Sequence, residues 1–581
     1  MGSTSMPGAA TAAGRRGARA SGGRGAGGAG SARAVRLRGA AAWALGTAVA
    51  AAALFTCYLL QSRTLPAGSD GASITLQAWD MLHGNPLLRG WRVADVSFYT
   101  TELPQYAAIE SVRGLSADVM HVGGAMTYTL LVLLAAYLAR GRARGRAGLA
   151  RAGVGGGVML APQLGAGTGT LLLGPDHAGS AVPVLVVLLL LDLAPARWYV
   201  PVLAGLLLAW GLVADALVLF IGVAPVVVVC LARVLHGVIP RRGRAAHSGS
   251  ARGGDPGLRA RGGDPGLRPR GGDPGLRGVA RTWWFELSLA AAAAAAVPVA
   301  AGAVALIRAL GGWRPNSLQA SFATAGMVAG NVRLTAQGLL GLFGADVFGA
   351  SSGLAVVFAV VHLAGFALAG WGFWIAVRRF FRADALVEAV CVAAIVINVA
   401  AYLAGVQAVN IASTREIAPV LPLGAVLAGR MLGERLLAPR LVPVAAAVLA
   451  GYTAMLGYAA AQPAPAPQYA DLTGWLRAHH LTSGLSGYSQ ANIVTVESRG
   501  AISLRPVVAA GRYIAPRGWE SERSWFDPAR HAASFLVLSS AGSYQVSARE
   551  AIATFGQPAR TYRYRVYTIM VWQTNLLKRL R

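Results

Sequence analysis

Long apolar runs alternate with short polar connectors along most of this chain, and the connectors are of two kinds. About eleven runs fall near 38–60, 119–139, 152–173, 178–194, 198–213, 216–235, 285–307, 353–376, 385–405, 417–437 and 441–460. Each is close to the roughly 20 residues that a membrane-crossing helix needs. Every second connector is rich in arginine: 140–151 (RGRARGRAGLAR), 195–197, 233–282, 378–383 (RRFFRA) and 430–440 (RMLGERLLAPR). The others collect Asp70, Asp80, Glu102, Asp118, Asp176, His177 and Asp215. Because arginine-rich connectors stay in the cytoplasm, the pattern predicts an α-helical polytopic membrane protein with its N-terminus inside. An odd span count leaves 468–581 outside. The runs 198–213 and 216–235 also read as one bent hairpin about Asp215.

Composition supports this reading. The 581 residues are 55% hydrophobic and 13% charged, with mean hydropathy +0.51, whereas a soluble domain carries about a quarter charged residues. The net charge of +28 suggests nucleic acid until its placement is considered. The arginine sits beside apolar runs, without a zinc-finger, RNP or basic-zipper pattern, so no nucleic-acid partner is expected. Cys57, Cys230 and Cys391 lie inside apolar runs and read as buried small side chains, not a disulfide framework or a metal site.

Residues 1–37 are Gly/Ala/Ser/Arg-rich and read as a disordered cytoplasmic tail; the run that follows is longer than a signal-peptide core. The low-complexity part of the third connector, 236–282, holds RGGDPGLR three times, from Arg252, Arg261 and Arg270. Its Asp-Pro-Gly is turn chemistry, and the unit is too short and polar for a solenoid. After the hinge Pro463-Ala-Pro465-Ala-Pro467 comes a helix-like stretch from Tyr469 to His480. Strand-like runs follow at Ile493–Val496, Ile502–Val508 and Ser534–Leu538, then a helix at Ser547–Phe555 and a last strand at Thr561–Trp572. This predicts a small α/β domain over 468–581.

Two loops of the membrane domain 38–460 are too long to be mere connectors, 61–118 and 308–352. The first opens Ser69-Asp70-Gly71 and continues as an amphipathic helix through Ile74, Ala78, Met81 and Leu82. It stops at His83-Gly84-Asn85-Pro86. Such a helix, right after a span, is expected to lie along the membrane surface. Tyr99-Thr-Thr-Glu102-Leu-Pro104-Gln-Tyr106 adds a second acid among aromatics, and Arg89, Arg92 and Arg113 add cations.

A carboxylate just after the first span, opening a juxtamembrane helix that ends in glycine, resembles the membrane-embedded GT-C glycosyltransferases. These include protein O-mannosyltransferases and aminoarabinose transferases. Gly174-Pro-Asp-His177-Ala-Gly and Ser413-Thr-Arg415-Glu416-Ile are similar to outward loops in such enzymes, and the C-terminal domain fits. Many of these families carry adjacent acids where this chain has Asp70-Gly71, so the second acid's part falls to another residue or is not played at all. The resemblance implies transfer of a sugar from a polyprenyl-phosphate donor to a cell-envelope acceptor, with no cofactor. A carboxylate within about 3 Å can take the acceptor's proton, and guanidinium groups can stabilise the leaving lipid phosphate. Asp70 is the candidate base, with Glu102 its helper. Arg415, Arg113 and Arg92 are candidates for the phosphate, and His177, Asp215 and Tyr99 for substrate contacts.

Each has a plainer reading. Asp70 serves equally as a helix N-cap, and Glu102 as a solvated loop acid. Asp80 reads as the polar face of its helix, Asp118 as the start of the second span, and His177 as an interfacial cap. Asp215, flanked by apolar runs, is costly unless paired or at a wet hairpin tip. Ser413-x-x-Glu416 reads as a capping box. That leaves Arg415 in a first turn, against the helix dipole, so something anionic should face it: a lipid phosphate or an acid of the first loop. Trp313 and Arg333 in the second long loop read as surface residues or a border for the donor. No His/Asp/Glu spacing forms a metal motif. Two other functional classes remain: a transporter or flippase of lipid-linked saccharides, which predicts polar broken helices at the bilayer midplane, and a non-catalytic envelope scaffold.

Overall fold

The computed structural model describes residues 26–162, 164–175, 177–194, 196–238, 282–316, 321–350, 352–540 and 546–580. Residues 1–25, nearly all of the repeat connector and Asp176 lie outside them. The chain forms two units, 1–53 and 54–581, and everything of functional interest lies in the second. The first helix, α1, runs Ala26–Ser62, so the helix begins within the stretch read as a disordered tail.

Among the described residues, seven helices are long and apolar enough to cross a membrane. The bent pair Ile411–Ile417 and Val420–Leu432, 52° apart, makes an eighth if counted as one span. Each of these falls on an expected run. The other three runs differ. The run 152–173 is broken into α5 (Gly145–Val158) and α6 (Ala166–Leu172); Pro162 and Gly165, which has positive φ, lie in the break. The runs 178–194 and 198–213 form shorter helices, α7 (Ala181–Leu193) and α8 (Tyr199–Ala214). The second long loop contains a helix that periodicity did not predict, Ala325–Leu342.

Two polar clusters mark the ends of this bundle. At one, the Arg430 guanidinium is buried between Asp192 (2.6 Å) and Glu388 (3.0 Å) and donates to the Leu138 carbonyl (2.8 Å), while Arg151 pairs with Glu434 (2.5 Å). At the other, His177, Asp215 and Glu416 meet. The α7 helix joins the two, since His177 precedes it and Asp192 sits in its last turn, and so does the helix Val420–Leu432, which follows Glu416 and carries Arg430. Thirteen residues at about 1.5 Å each give roughly 20 Å. The described parts of the arginine-rich connectors 140–151 and 430–440 thus lie at one end and the loops that carry His177 and Asp215 at the other, as the alternation predicts.

The C-terminal region is a six-stranded sheet in the order Tyr513–Pro516, Ser503–Ala510, Ser483–Ser486, Phe535–Ser539, Tyr567–Val571, Arg560–Tyr564. The strand Ser483–Ser486 is parallel to both of its neighbours; the other pairs are antiparallel. Two expectations are corrected. Ile493–Val496 lies in a helix, Tyr488–Glu497, every residue of which from Gln490 to Val496 is buried. A short apolar run cannot by itself distinguish a buried strand from a buried helix. The single strand expected at Thr561–Trp572 is a hairpin that turns at Arg565, which has positive φ. The helix expected at Ser547–Phe555 is present as Ala548–Phe555, and Ser547 caps it in a capping box with Glu550.

A second, three-stranded sheet joins distant segments. Strand β1 (Trp91–Val93) pairs in parallel with Arg314–Pro315 and antiparallel with Ser521–Glu522. The two long loops and the C-terminal domain are therefore hydrogen-bonded into one body.

Arg430→Ala leaves Asp192 and Glu388 buried without their cation, which costs about 3–5 kcal/mol. It is expected to lower the melting temperature in detergent well below that of Arg382→Ala, whose pair with Asp384 is exposed and 3.5 Å apart.

Candidate functional site

The site begins where α1 ends. Helix α2 (Ser69–Leu82) is capped by Gly68, so Asp70 sits in its first turn, not at the N-cap. There its charge complements the helix dipole. Gly71 to Ala78 are all buried, so over this stretch α2 is covered by protein on every face. The helix Tyr488–Glu497 packs against it and places the Tyr488 hydroxyl 2.6 Å from Asp70 Oδ1. On the other side of the carboxylate, Arg415 Nη1 is 3.8 Å from Oδ2. The Asp70 side chain remains 61% exposed and that of Arg415 44%, so the pair is open to a substrate. The anion expected opposite Arg415 is thus an acid of the first loop.

Behind Tyr488 its hydroxyl also meets the Glu520 carboxyl. One hydroxyl proton cannot serve two carboxylates. If Tyr488 donates to Asp70, Glu520 must be the protonated partner and donate to the Tyr488 oxygen. Burial, with the Asp70 charge adding to it, pushes Glu520 up to about 8, in agreement with that assignment. The Arg517 guanidinium lies 4.1 Å over the Tyr488 ring, a cation–π contact.

Arg415 and Glu416 lie on a 3-10 helix, Ile411–Ile417, capped by Asn410, whose side chain accepts from the Ser413 amide at 3.1 Å. The capping-box reading of Ser413 and Glu416 is therefore corrected. Ser413 Oγ bonds the Tyr402 hydroxyl at 2.8 Å. Glu416 reaches His177 Nε2 at 3.1 Å, and His177 Nδ1 is 2.7 Å from Asp215 Oδ2. Asp215 also accepts from Ser180 and from the Leu217 amide (2.8 Å to Oδ1). It is buried and paired, not a wet hairpin tip, which is how an acid between apolar runs avoids its desolvation cost. His177 likewise is an ion-pair partner rather than a cap.

Asp95 completes the group. It is exposed and lies within electrostatic reach of His177, Arg415 and Glu416. Surrounding protein raises its carboxyl above the ordinary range, while the charges of His177 and Arg415 pull it down.

The remaining candidates are placed elsewhere. Glu102, the first residue of α3 (Glu102–Arg113), is buried so close to Gly179 that a Cβ there would collide with its carboxylate. It belongs to the layer of His177 and Asp215, not to that of Asp70, and is no solvated loop acid. Burial pushes it up to about 7. Arg113 pairs with Asp118, as does Arg63 (2.8 Å), and Asp118 does open its helix, Asp118–Arg140. Arg92 lies on β1 and faces a separate cleft. The Tyr99 hydroxyl donates to the Pro86 carbonyl at 2.9 Å, and its ring is 5.7 Å from that of Trp313. Trp313 is 2% exposed, hence core rather than surface. Asp80 holds Trp91 Nε1 (2.7 Å) and Asn85 Nδ2 (2.6 Å). Among the described residues no group of three or more His, Cys, Asp or Glu is disposed to hold a metal ion.

Position 71 explains why this chain has no Asp-Glu pair. A Cβ there would lie 2.6 Å from Met120 Sδ and 2.9 Å from the Gly174 carbonyl oxygen, so no second acid fits beside Asp70. Asp95, Glu416 and Glu520 supply the other carboxyls of the site from three different segments. Asp95, Tyr488, Arg517 and Glu520 were not singled out from the sequence, and no spacing or motif marks them.

No protein-family model matches the chain, and no curated protein matches it. Solved structures do. ArnT from Cupriavidus metallidurans in the apo state is similar over 92% of this chain and 98% of its own, at 12% identity and TM-score 0.51. The Archaeoglobus fulgidus oligosaccharyltransferase tethered to an acceptor peptide matches 86% of this chain and 69% of its own, at 15% identity and TM-score 0.46. The same organism's AglB in complex with an inhibitory peptide and a dolichol-phosphate matches at 13% identity and TM-score 0.43. Both neighbours are GT-C superfamily glycosyltransferases. The likeness to ArnT shows the fold, and at that level the resemblance read from the loop motifs is borne out.

Glu520 carries a pH signature. Its folded value of about 8 exceeds its ordinary 4.5, so its contribution to stability is full below about 4.5 and is lost as pH rises through about 8. Glu520→Gln, which keeps the neutral form, is expected to abolish this loss. Between about pH 5 and about pH 9, melting temperature should fall by a few degrees more in wild type than in the variant.

Proposed function

We propose that this chain is an integral-membrane glycosyltransferase that moves a sugar from a polyprenyl-phosphate donor to an acceptor outside the cytoplasm. The observation that carries this reading is the Asp70–Arg415 pair. A carboxylate and a guanidinium 3.8 Å apart, both open to solvent, stand at the mouth of a bundle of apolar helices. Asp70 takes the proton of the acceptor hydroxyl or amine. Arg415 receives the phosphate whose charge grows as the glycosidic bond breaks. The Tyr488–Glu520 relay orients the Asp70 carboxylate through one oxygen and leaves the other toward the substrate. The His177–Glu416–Asp215 chain fixes the 3-10 helix that carries Arg415, and Glu102 packs behind it as a positioning residue.

A phosphate monoester is a good leaving group, so one base and a cationic clamp suffice for the chemistry. The ionisable residues of the site lie in loops and at helix ends. This favours transfer over a transport pathway through the bilayer midplane.

Asp70→Asn is expected to lower transfer from a radiolabelled polyprenyl-phosphate sugar by about 10²–10⁴-fold. Arg415→Gln is expected to act mainly on donor KM. A panel of such donors that yields no turnover with wild type, under conditions where another GT-C enzyme works, would overturn the assignment. Unchanged cellular function with Asp70→Asn would point instead to a scaffold.

Orientation has its own test. With native cysteines replaced, a membrane-impermeant maleimide should label Ser111→Cys in intact cells and Asp384→Cys only after permeabilisation. The reverse pattern would place Asp70 in the cytosol and exclude the reading.

A further inference from the structure

A second cleft, of about 980 Å³, lies along the three-stranded sheet. Its lining carries five arginines, Arg89, Arg92, Arg314, Arg517 and Arg523, against two acids. Both acids are occupied. The Glu522 carboxylate accepts from the Ser524 amide (3.0 Å) and hydroxyl, and Asp527 pairs with Arg530 at 3.6 Å. Arg89, Arg92, Arg314 and Arg523 are exposed, and no ion pair joins them to a carboxylate among the described residues. Keeping four like charges around one cavity is unfavourable unless an anion enters it. The wall between them is glycine-rich; at Gly518 a Cβ would already press within 3.0 Å of Arg92 Nη1, so the space is kept for the guanidinium groups and their ligand.

Two features connect this cleft to the site and to the membrane. Arg517, which lines it, lies over the ring of Tyr488, the residue that holds Asp70. Gly311, Gly312 and Arg314 follow directly on the apolar helix Trp284–Ala309, so the cleft opens beside the end of a span.

We propose that this cleft binds a phosphate or pyrophosphate group carried by the acceptor, and so selects anionic acceptors. The planar, always-charged guanidinium suits phosphate oxygens in a bidentate fashion. Because Arg415 is assigned to the donor phosphate, the identity of the ligand as acceptor rests on the glycosyl-transfer reading. The anion site itself does not.

Binding is measured on the detergent-purified full chain by calorimetry, with inorganic pyrophosphate as one probe and mixed micelles containing phosphatidic acid as the other. The combined variant Arg92→Gln/Arg314→Gln/Arg523→Gln is expected to bind pyrophosphate about tenfold or more weakly than wild type and to show a shallower salt dependence. Arg549→Gln, at an exposed position that does not line the cleft, should match wild type. If the triple variant fails to fold, Arg523→Gln alone, at an exposed position, should still weaken binding severalfold. Arginine-dependent binding of both probes assigns the phosphate itself, and binding of micelles only assigns a lipid headgroup. Binding of neither probe, or equal binding by variants and wild type, overturns the proposal. Asp70→Asn should bind pyrophosphate normally. Arginine-dependent binding without sugar transfer from any donor would therefore keep the cleft and remove only the acceptor assignment.

Discussion

Strand Trp91–Val93 is hydrogen-bonded on one edge to Arg314–Pro315 and on the other to Ser521–Glu522. Three stretches far apart in sequence are thereby held against each other, and the site depends on that register. With Glu520 next to the paired Ser521, the strand pairing sets the position of the acid behind Tyr488. The Glu520 amide itself donates to the Arg92 carbonyl at 2.8 Å. Loosening this sheet would displace Glu520 from behind Tyr488, whose own hold on Asp70, 418 residues away in sequence, comes from the packing of its helix on α2.

The electrostatics follow from crowding acids where water is scarce. Asp70 stays open to solvent, while its neighbours are either neutral or paired. Glu520 is held protonated by burial, and Asp215 is matched by His177. This arrangement leaves the Asp70 carboxylate accessible among several others. It is also why the second acid is absent from position 71: Met120 and the Gly174 carbonyl fill the space, and the function is distributed over segments that only folding brings together.

Some of this was legible in the chain. The helix from Ser69, the start of another at Asp118, the helix that follows Ser547 and an anion facing Arg415 all follow from local chemistry, and the structure contains them. Errors arose where packing overrides pattern. Ile493–Val496 is apolar on all sides because a helix is buried on all sides there, and periodicity has nothing to report. The run 152–173 is apolar enough to span but is interrupted around Pro162 and Gly165. The helix Ala325–Leu342 has mixed polarity and was hidden by it. Arg113, an attractive cation by sequence position, is taken up by Asp118.

The sequence by itself determined the membrane architecture and which connectors share an end, because charge next to an apolar run is a local, one-dimensional property that the bilayer reads directly. Tertiary structure alone decided which acids and cations meet. Tyr488, Glu520 and Arg517 reach Asp70 through helix packing and strand register, and Asp95 joins His177 and Arg415 through loop geometry. A contact between residues hundreds of positions apart leaves no trace in the spacing of either.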